Sequence, residues 1–236
     1  DAAYYLIHSM SSSTSDFDEK EERAVKNFNT YLAPTNCKQV IYVGGIANEQ
    51  SLSKHLWSRK NVENILYQGS AAVTVLRAAI IVGSGSASFE IIRDLCEKLP
   101  LMVTPRWVKT KCQPIAIRDV LNYLTGVLGN NEYNNESFDI GGLDVLSYRE
   151  MMEGYARFRK LNLTIVTLPF LSPKISSYWL YFVTSTSYKL ALNLVDSMRI
   201  EVITSDTRLK DILKIESISY QKAIELAFKK IKQNQV

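Results

Sequence analysis

His55 and Arg59 are two residues whose types and spacing could do chemistry. They stand four residues apart in a segment with helical periodicity, which puts both side chains on one face of the predicted helix. A histidine can donate or accept a proton near neutral pH, whereas an arginine stays protonated and can only donate hydrogen bonds. The alternative is a surface histidine beside an arginine that packs or pairs locally, with Glu63 as its available partner.

Three apolar segments would position this pair. Residues 3–8, 39–43 and 72–82 are typical of buried strands, and segments with helical periodicity separate them. Apolar strands that alternate with helices are typical of a parallel sheet with helices on both faces, and such sheets bind ligands at the carboxyl ends of their strands. Those ends are here His8-Ser9-Met10, Gly44-Gly45-Ile46 and Gly83-Ser84-Gly85.

The pattern after residue 85 loosens and predicts a smaller α/β lobe. The predicted strands lie at 101–103, 114–117, 138–140 and 163–168, and the predicted helices at 89–99, 118–128, 147–160, 175–197, 206–214 and 219–233. Ser147 followed by Glu150 is a capping-box signal. We expect a Rossmann-like core over residues 1–130, and a C-terminal α/β lobe over residues 131–236 that is interleaved with the core.

The composition disfavours several classes of function. The net charge is +4, and the Lys and Arg residues are scattered, so no nucleic-acid binding is expected. The three cysteines lack metal-ligand spacing, so no metal site is expected, and they fit a reducing, cytoplasmic setting. The most apolar region, 161–188, is broken by Pro169, Pro173 and Lys174, and it falls short of the roughly 18 consecutive apolar residues of a membrane span. Its aromatic cluster at 178–182 is predicted to pack, with a membrane-interface helix as the alternative.

Five short motifs follow one another along the chain. A strand ends in Gly44-Gly45, and the next helix carries His55, Arg59 and Glu63 where a known family has Tyr-x3-Lys followed by Glu. The other three are the run 74–83, similar to T-x-L-R-P-x-x-x-x-G, the stretch 113–120, similar to p-I-x-V-x-D-V, and the segment 138–147, similar to n-i-G-G followed by l-T. In this order they resemble the extended and atypical short-chain dehydrogenase/reductase family. Phrases at 5–10 and 83–90 are similar to those of bacterial NAD(P)-binding nucleoside-diphosphate-sugar epimerase-like proteins.

The resemblance implies an oxidoreductase or epimerase-like function with NAD or NADP as the cofactor. The cofactor-binding residues that it implies are His8, Ser9, Gly44, Gly45, Arg59, Ala78 and Ile80. The substrate-binding residues that it implies are Ser84, Ser86, Arg106 and Gln113, and the catalytic acid or base is His55. The choice between NAD and NADP stays open, because the residue that reads the ribose 2′ position normally follows the second strand of such a domain.

The family's catalytic set is replaced here at every member. His55 and Arg59 stand in place of Tyr and Lys, and Gly44-Gly45 ends the central strand without the family's Ser or Thr hydroxyl. Arg59 can still donate hydrogen bonds to ribose hydroxyls. These replacements leave a non-catalytic NAD(P)-binding regulatory or sensor protein as the second hypothesis, and a structural α/β domain without a cofactor as the third.

The family's Gly-rich phosphate-binding turn has no counterpart in this sequence. No GxxGxxG occurs, and the Gly- and Ser-rich run 83–88 lacks the Lys-Ser/Thr pair of a triphosphate-binding loop. The resemblance implies that a βαβ half of roughly 60–75 residues is supplied upstream. We therefore expect residues 1–236 alone to bind a dinucleotide poorly and to leave a sheet edge open.

Overall fold

The structure is a computed structural model that describes residues 1–7, 17–46, 54–168 and 198–234. Within these ranges, the side chains that it leaves undescribed are those of residues 17, 18, 54, 55 and 234. Outside the described residues lie His8, Ser9 and the predicted helix 175–197 with its aromatic cluster.

The helices and strands alternate along the described chain. The strands are β1 (Ala2–Tyr5), β2 (Gln39–Gly45), β3 (Ala72–Ala78), β4 (Ile81–Val82), β5 (Leu101–Thr104), β6 (Lys111–Cys112), β7 (Ile115–Ala116), β8 (Ser137–Ile140), β9 (Leu146–Ser147) and β10 (Thr164–Thr167). The α-helices are α1 (Phe17–Leu32), α2 (Lys54–Leu66), α3 (Ala87–Lys98), α4 (Ile117–Gly126), α5 (Tyr148–Arg159), α6 (Arg208–Ile212) and α7 (Tyr220–Asn234).

The chain divides into two compact units whose segments alternate in sequence. Unit 1 comprises Asp1–Ala78, Val120–Ile140 and Thr204–Ile215. Unit 2 comprises Ala79–Asp119, Gly141–Ile203 and Glu216–Val236. The expected division into a core and a lobe near residue 130 stays a prediction.

Unit 1 is built on a four-stranded sheet in the order β1-β2-β3-β8. Every neighbouring pair in it is parallel, so the three predicted strands do lie side by side in one direction. One boundary is wrong, because the apolar run 72–82 forms two strands. β3 ends at Ala78, and β4 pairs instead with β7 in unit 2. Both strands are apolar, so the hydrophobic pattern carries no sign of the break between them.

Helices cover both faces of the unit 1 sheet. The side chains of Tyr4 and Tyr5 point to opposite faces because they are successive strand residues. The Tyr5 ring packs edge-on against Phe28 of α1, at 4.9 Å between ring centroids. The Tyr4 hydroxyl donates a hydrogen bond to the Leu124 carbonyl of α4, at 3.0 Å. The expected Rossmann-like α/β fold class, with a parallel sheet between helices, is confirmed.

The core of unit 1 lies between the sheet, α1 and α2. Val25 of α1 is fully buried, and Val62 and Leu66 of α2 are buried as well. Burying a side chain of this size contributes about 1.5–3 kcal/mol. On the other face, buried Gln39 donates to the Val127 carbonyl and accepts from the amide of residue 129, which ties β2 to the segment after α4. Val62 and Leu66 pack α2 against Val40 and Tyr42 of β2.

In the part of unit 2 that the structure describes, there are three two-stranded sheets and the α-helices α3, α5 and α7. The pairs β4-β7 and β5-β10 are parallel, and the pair β6-β9 is antiparallel. Phe89 of α3, Tyr155 of α5 and Phe228 of α7 meet in its core. The predicted capping box is confirmed, because Ser147 and Glu150 exchange both of its hydrogen bonds at the start of α5. Among the described helices, none is long and apolar enough to cross a bilayer.

Candidate functional site

The carboxyl ends of β2 and β3 lie beside each other in unit 1. The pairing register places Gly44 opposite Arg77 and Gly45 opposite Ala78. The Ile46 amide then donates to the Ala78 carbonyl at 3.1 Å, which continues the pairing past the end of β2. Three of the predicted cofactor-binding residues, Gly44, Gly45 and Ala78, are therefore together at one edge of the sheet.

Packing alone accounts for both glycines at this edge. A Cβ on Gly44 would lie 3.2 Å from Cε1 of Tyr42, and a Cβ on Gly45 would lie 3.1 Å from Cδ2 of Leu56. Both distances are tighter than ordinary van der Waals contact, so a larger residue would displace these side chains. The glycines also leave this strand end without side chains or hydroxyl groups.

Arg59 reaches from α2 to the end of β2. Its Nη1 donates to the Val43 carbonyl at 3.2 Å, while the Tyr42 hydroxyl donates to the Arg59 carbonyl at 3.3 Å. The Arg59 Nε is buried and has no hydrogen-bond partner among the described residues. Buried donors are nearly always paired, and an unpaired one costs about 1–3 kcal/mol, so this nitrogen calls for an acceptor. The guanidinium is thus the cationic donor at the end of β2 that could bind a hydroxyl or an anionic group.

The suggested pairing of Arg59 with Glu63 is wrong. The buried Glu63 carboxylate instead accepts two hydrogen bonds from Arg77, at 3.1 and 2.7 Å, and one from Lys60 at 2.7 Å. Burial by itself would raise the pKa of Glu63, but these hydrogen bonds and charges outweigh it and lower that pKa. Arg77 matches both carboxylate oxygens with its planar fork, which explains why it is the partner. The hydrogen bonds from Arg77 to Glu63 hold α2 against β3.

His55 lies one helical turn before Arg59 in α2. Its side chain is outside the described set, so its role as an acid or base stays a prediction. His8 and Ser9 likewise stay predictions, because the described part of the first segment ends at residue 7.

The predicted residues Ile80, Ser84 and Ser86 flank β4 in unit 2. Ile80 packs against the unit 2 core, and its carbonyl accepts from the Ile115 amide at 2.8 Å. Ser86 precedes the first residue of α3, and its hydroxyl donates to the Ile81 carbonyl at 2.6 Å. Ser84 is half-buried in the turn between β4 and α3. Of the two serines, Ser84 has no such structural bond among those described.

The predicted residues Arg106 and Gln113 also lie in unit 2. The Gln113 side chain donates to the Gly142 carbonyl at 2.8 Å, and the Gln113 backbone amide donates to the Val202 carbonyl at 2.9 Å. Arg106 is exposed at the start of a short 3-10 helix. The next residue, Trp107, is buried in the unit 2 core. Gln113 therefore holds two loops of unit 2 together.

A buried polar cluster in unit 1 was not predicted from the sequence. Glu21 of α1 is buried, and its carboxylate accepts from the Ser58 hydroxyl of α2 at 2.6 Å. Burial, the nearby Tyr42 and Glu21 together raise the pKa of Tyr5 to about 12. Glu21 stands among the acids of the first turns of α1, where a solvent-facing carboxylate is the usual interpretation. Only its burial distinguishes it, and sequence spacing does not reveal that.

Neither buried cysteine of unit 2 is suited to nucleophilic catalysis. Burial raises the pKa of Cys96 and that of Cys112 to about 12, so both are thiols at neutral pH. Among the described residues, no cluster of three or more His, Cys, Asp or Glu could hold a metal ion. At the carboxyl end of β2, the Arg59 guanidinium supplies a positive charge and hydrogen-bond donors.

Comparison with solved structures identifies the fold. The UDP-glucuronic acid 4-epimerase from Bacillus cereus, in complex with UDP-glucuronic acid and NAD, matches with a TM-score of 0.69 and 11% identity, over 99% of this chain and 76% of that one. A nucleoside-diphosphate-sugar epimerase from Staphylococcus aureus matches with a TM-score of 0.73 and 11% identity, over 95% and 76%. The chain has their fold. Triphenylmethane reductase from Citrobacter sp., complexed with NADP(H), shares it with a TM-score of 0.70 and 13% identity, over 96% of this chain and 75% of that one.

The similarity to these three proteins is one of fold, because the sequence identity is only 11–13%. No protein-family model matches the chain, and no curated protein matches it.

Proposed function

We propose that the protein is an NAD(P)-dependent oxidoreductase or sugar-nucleotide epimerase-like protein of the atypical short-chain dehydrogenase/reductase class. The observation that carries this proposal is the Arg59 guanidinium at the end of β2, whose buried Nε has no partner within the described part of the chain. The helix position of Arg59 matches the one from which the family's Lys holds the nicotinamide ribose. Open parallel sheets bind ligands at this edge, which supports the same site.

The residues at the edge fit the nicotinamide half of NAD or NADP. The strand ends Gly44 and Gly45 present backbone groups without side chains beside Ala78, and Arg59 supplies a donor for ribose hydroxyls. When bound, the cofactor would supply or accept a hydride. Arg59 would orient it without moving a proton, because a guanidinium stays charged. We propose His8, Ser9 and Ile80 as further cofactor contacts.

His55 is the proposed acid or base of the reaction. It lies one turn from Arg59 on α2, and imidazole exchanges protons near neutral pH. For the substrate we propose contacts from Ser84, Ser86, Arg106 and Gln113. Ser84 and the exposed Arg106 are favoured among these four, because the side chains of Ser86 and Gln113 already donate to backbone carbonyls.

We propose that the pyrophosphate-binding half of the site comes from upstream in the same protein. The sequence has no Gly-rich turn, and among the described residues β1 pairs only with β2. Leu6 and Ile7, just beyond β1, are 58% and 54% exposed. An apolar, unpaired parallel edge of this kind is normally covered by another strand. The solved structures that match the chain are also longer than it by about a quarter of their length.

A cytoplasmic location in a bacterial cell is part of the same proposal. The three cysteines are all free, which suits a reducing compartment. The phrases at 5–10 and 83–90 resemble bacterial sequences.

The second candidate is a non-catalytic NAD(P)-binding sensor or regulatory protein. It is favoured by the end of β2, where Gly44 and Gly45 offer no hydroxyl to orient a substrate. Arg59 in place of a lysine would still hold a ribose, so binding would survive where catalysis does not.

The test is a titration of the full-length protein with NADH and with NADPH, followed by nicotinamide fluorescence. We expect saturable binding of at least one of them, with a Kd well below about 1 mM. Absence of saturation with both would overturn the proposed function and the sensor alternative together, and it would leave a structural α/β domain.

Turnover then separates the enzyme from the sensor. On a panel of carbonyl and sugar-nucleotide substrates, we expect His55→Ala to lower kcat by about 10²–10⁴-fold while the cofactor Kd stays unchanged. Equal rates in wild type and variant would eliminate His55 as the acid or base. Cofactor binding without turnover of any substrate by the wild type would favour the sensor.

A further inference from the structure

The Tyr42 phenol links the middle of β2 to the turn of α2 that carries Arg59. Its ring is 1% exposed, so it lies wholly in the core of unit 1. Its hydroxyl donates to the Arg59 carbonyl at 3.3 Å, and the Arg59 guanidinium returns to β2 through the Val43 carbonyl at 3.2 Å. Two hydrogen bonds therefore join α2 to β2, one at Tyr42 and one at Val43.

The neighbours of the Tyr42 ring leave it little freedom. The Cβ position of Gly44 is 3.2 Å from Cε1, the ring carbon next to the one that bears the hydroxyl. On another side the Tyr5 ring packs against it at a tilt, at 6.0 Å between centroids. Gly44 therefore allows the ring to lie where its hydroxyl meets α2.

The surroundings of Tyr42 keep its hydroxyl protonated. Burial raises the pKa of Tyr42 and outweighs the charge of Arg59 and a hydrogen bond with its side chain, which both lower it, while the acids Glu21 and Glu63 raise it further. A neutral phenol is a hydrogen-bond donor, as the contact with the Arg59 carbonyl requires.

We propose that Tyr42 is a positioning residue for Arg59, and through it for the nicotinamide ribose of the cofactor. This inference rests on the proposed function. The hydroxyl of Tyr42 fixes the backbone of α2 at Arg59, so that the guanidinium meets the end of β2 in one orientation. A small misplacement of a positioning group weakens only the contacts that it makes. Loss of the hydroxyl therefore weakens binding of the nicotinamide half and leaves the adenosine half unaffected.

The test compares two ligands on the full-length protein and its Tyr42→Phe variant. One ligand is the reduced dinucleotide that the wild type binds better. The other is its adenosine half, which is ADP for NADH and the 2′-phosphate of ADP for NADPH; both are called ADP below. Tyr42→Phe keeps the buried ring and removes one hydrogen bond, so we expect the dinucleotide Kd to rise about three- to tenfold and the ADP Kd to stay the same. Tyr5→Phe, which removes a hydroxyl from the same core, is the matched control and should change neither Kd.

A double-mutant cycle with Arg59→Ala gives the second readout. Without the guanidinium there is nothing left to position, so Tyr42→Phe should have no further effect on the dinucleotide Kd in that background. A purely structural role of Tyr42 would weaken both ligands and would add to the effect of Arg59→Ala. Either of those results overturns the positioning role.

The outcomes also separate this inference from the proposed function. If the wild type binds the dinucleotide, and Arg59→Ala weakens it while Tyr42→Phe does not, the positioning role alone fails. If the wild type binds neither NADH nor NADPH, the proposed function fails, and the role of Tyr42 fails with it.

Discussion

Gly142→Ala is expected to destabilise the protein by about 3 kcal/mol. A Cβ at Gly142 would lie 2.0 Å from the Pro114 carbonyl oxygen and 3.3 Å from the Cα of Ile115. These are backbone atoms, and Ile115 belongs to β7, which is paired with β4 in unit 2. They cannot rotate away as a side chain could, so the backbone must move and the Gln113 hydrogen bond to the Gly142 carbonyl must be disturbed. Urea unfolding followed by circular dichroism measures the effect.

The same substitution at Gly154 is the matched control. Gly154 is also buried in unit 2, but its Cβ position is 3.4 Å from the nearest atom, on the Tyr220 ring, and it lies within α5. Because alanine favours a helix interior over glycine, Gly154→Ala should be neutral or stabilise the protein by up to about 1 kcal/mol. Wild-type stability for Gly142→Ala, or equal losses at both sites, would contradict the packing described around Pro114.

Glu63→Gln is expected to cost about 2–3 kcal/mol at neutral pH. The side chain of Glu63 is 4% exposed, whereas those of its partners Lys60 and Arg77 are 31% and 25% exposed. Removal of its charge leaves two cations without their shared anion, but water can reach both of them in part. The loss therefore falls below that of a fully buried pair. Thermal or urea unfolding of both proteins across a pH series is the measurement.

The pH dependence of this loss has a definite sign. The pKa of Glu63 is lowered in the folded protein, so its charge stabilises the fold above its unfolded pKa, which is about 4.3. That stability is lost as the pH falls through the lower, folded pKa. The difference between wild type and Glu63→Gln should be full at pH 7 and should shrink steadily below about pH 4. A difference that is constant with pH would show that the charge of Glu63 is not what stabilises α2 on β3. Glu225→Gln, at an exposed pair with Lys222, should change stability by less than about 0.5 kcal/mol.

The architecture was predictable because hydrophobic patterns report burial. Most residues of β2 and β3, within the apolar runs at 39–43 and 72–82, are buried, and strands covered on both faces are typical of a parallel sheet with helical crossovers. The break after Ala78 was not predictable, since β3 and β4 are equally apolar and the change lies in their partners.

The side-chain pairing at the site was harder to predict than the strands. Spacing made Glu63 the natural partner of Arg59, because the two stand four residues apart in one helix. Glu63 instead pairs with Arg77, fourteen residues after it in the chain, because Arg77 of β3 donates to both oxygens of the Glu63 carboxylate. The contribution of Tyr42 was hidden for a similar reason. A tyrosine in an apolar strand is typical of core packing, and only the fold shows its hydroxyl at the Arg59 carbonyl.

The proposed function requires a dinucleotide bound at the carboxyl ends of β2 and β3, and hydrogen exchange can locate it. Backbone amides of the full-length protein would be compared by mass spectrometry with and without saturating NADH or NADPH, whichever binds. We predict at least threefold slower exchange with the cofactor at residues 43–46 and 77–78, where the two strands end together. Unchanged exchange at both strand ends, with protection confined to other segments, would contradict the account.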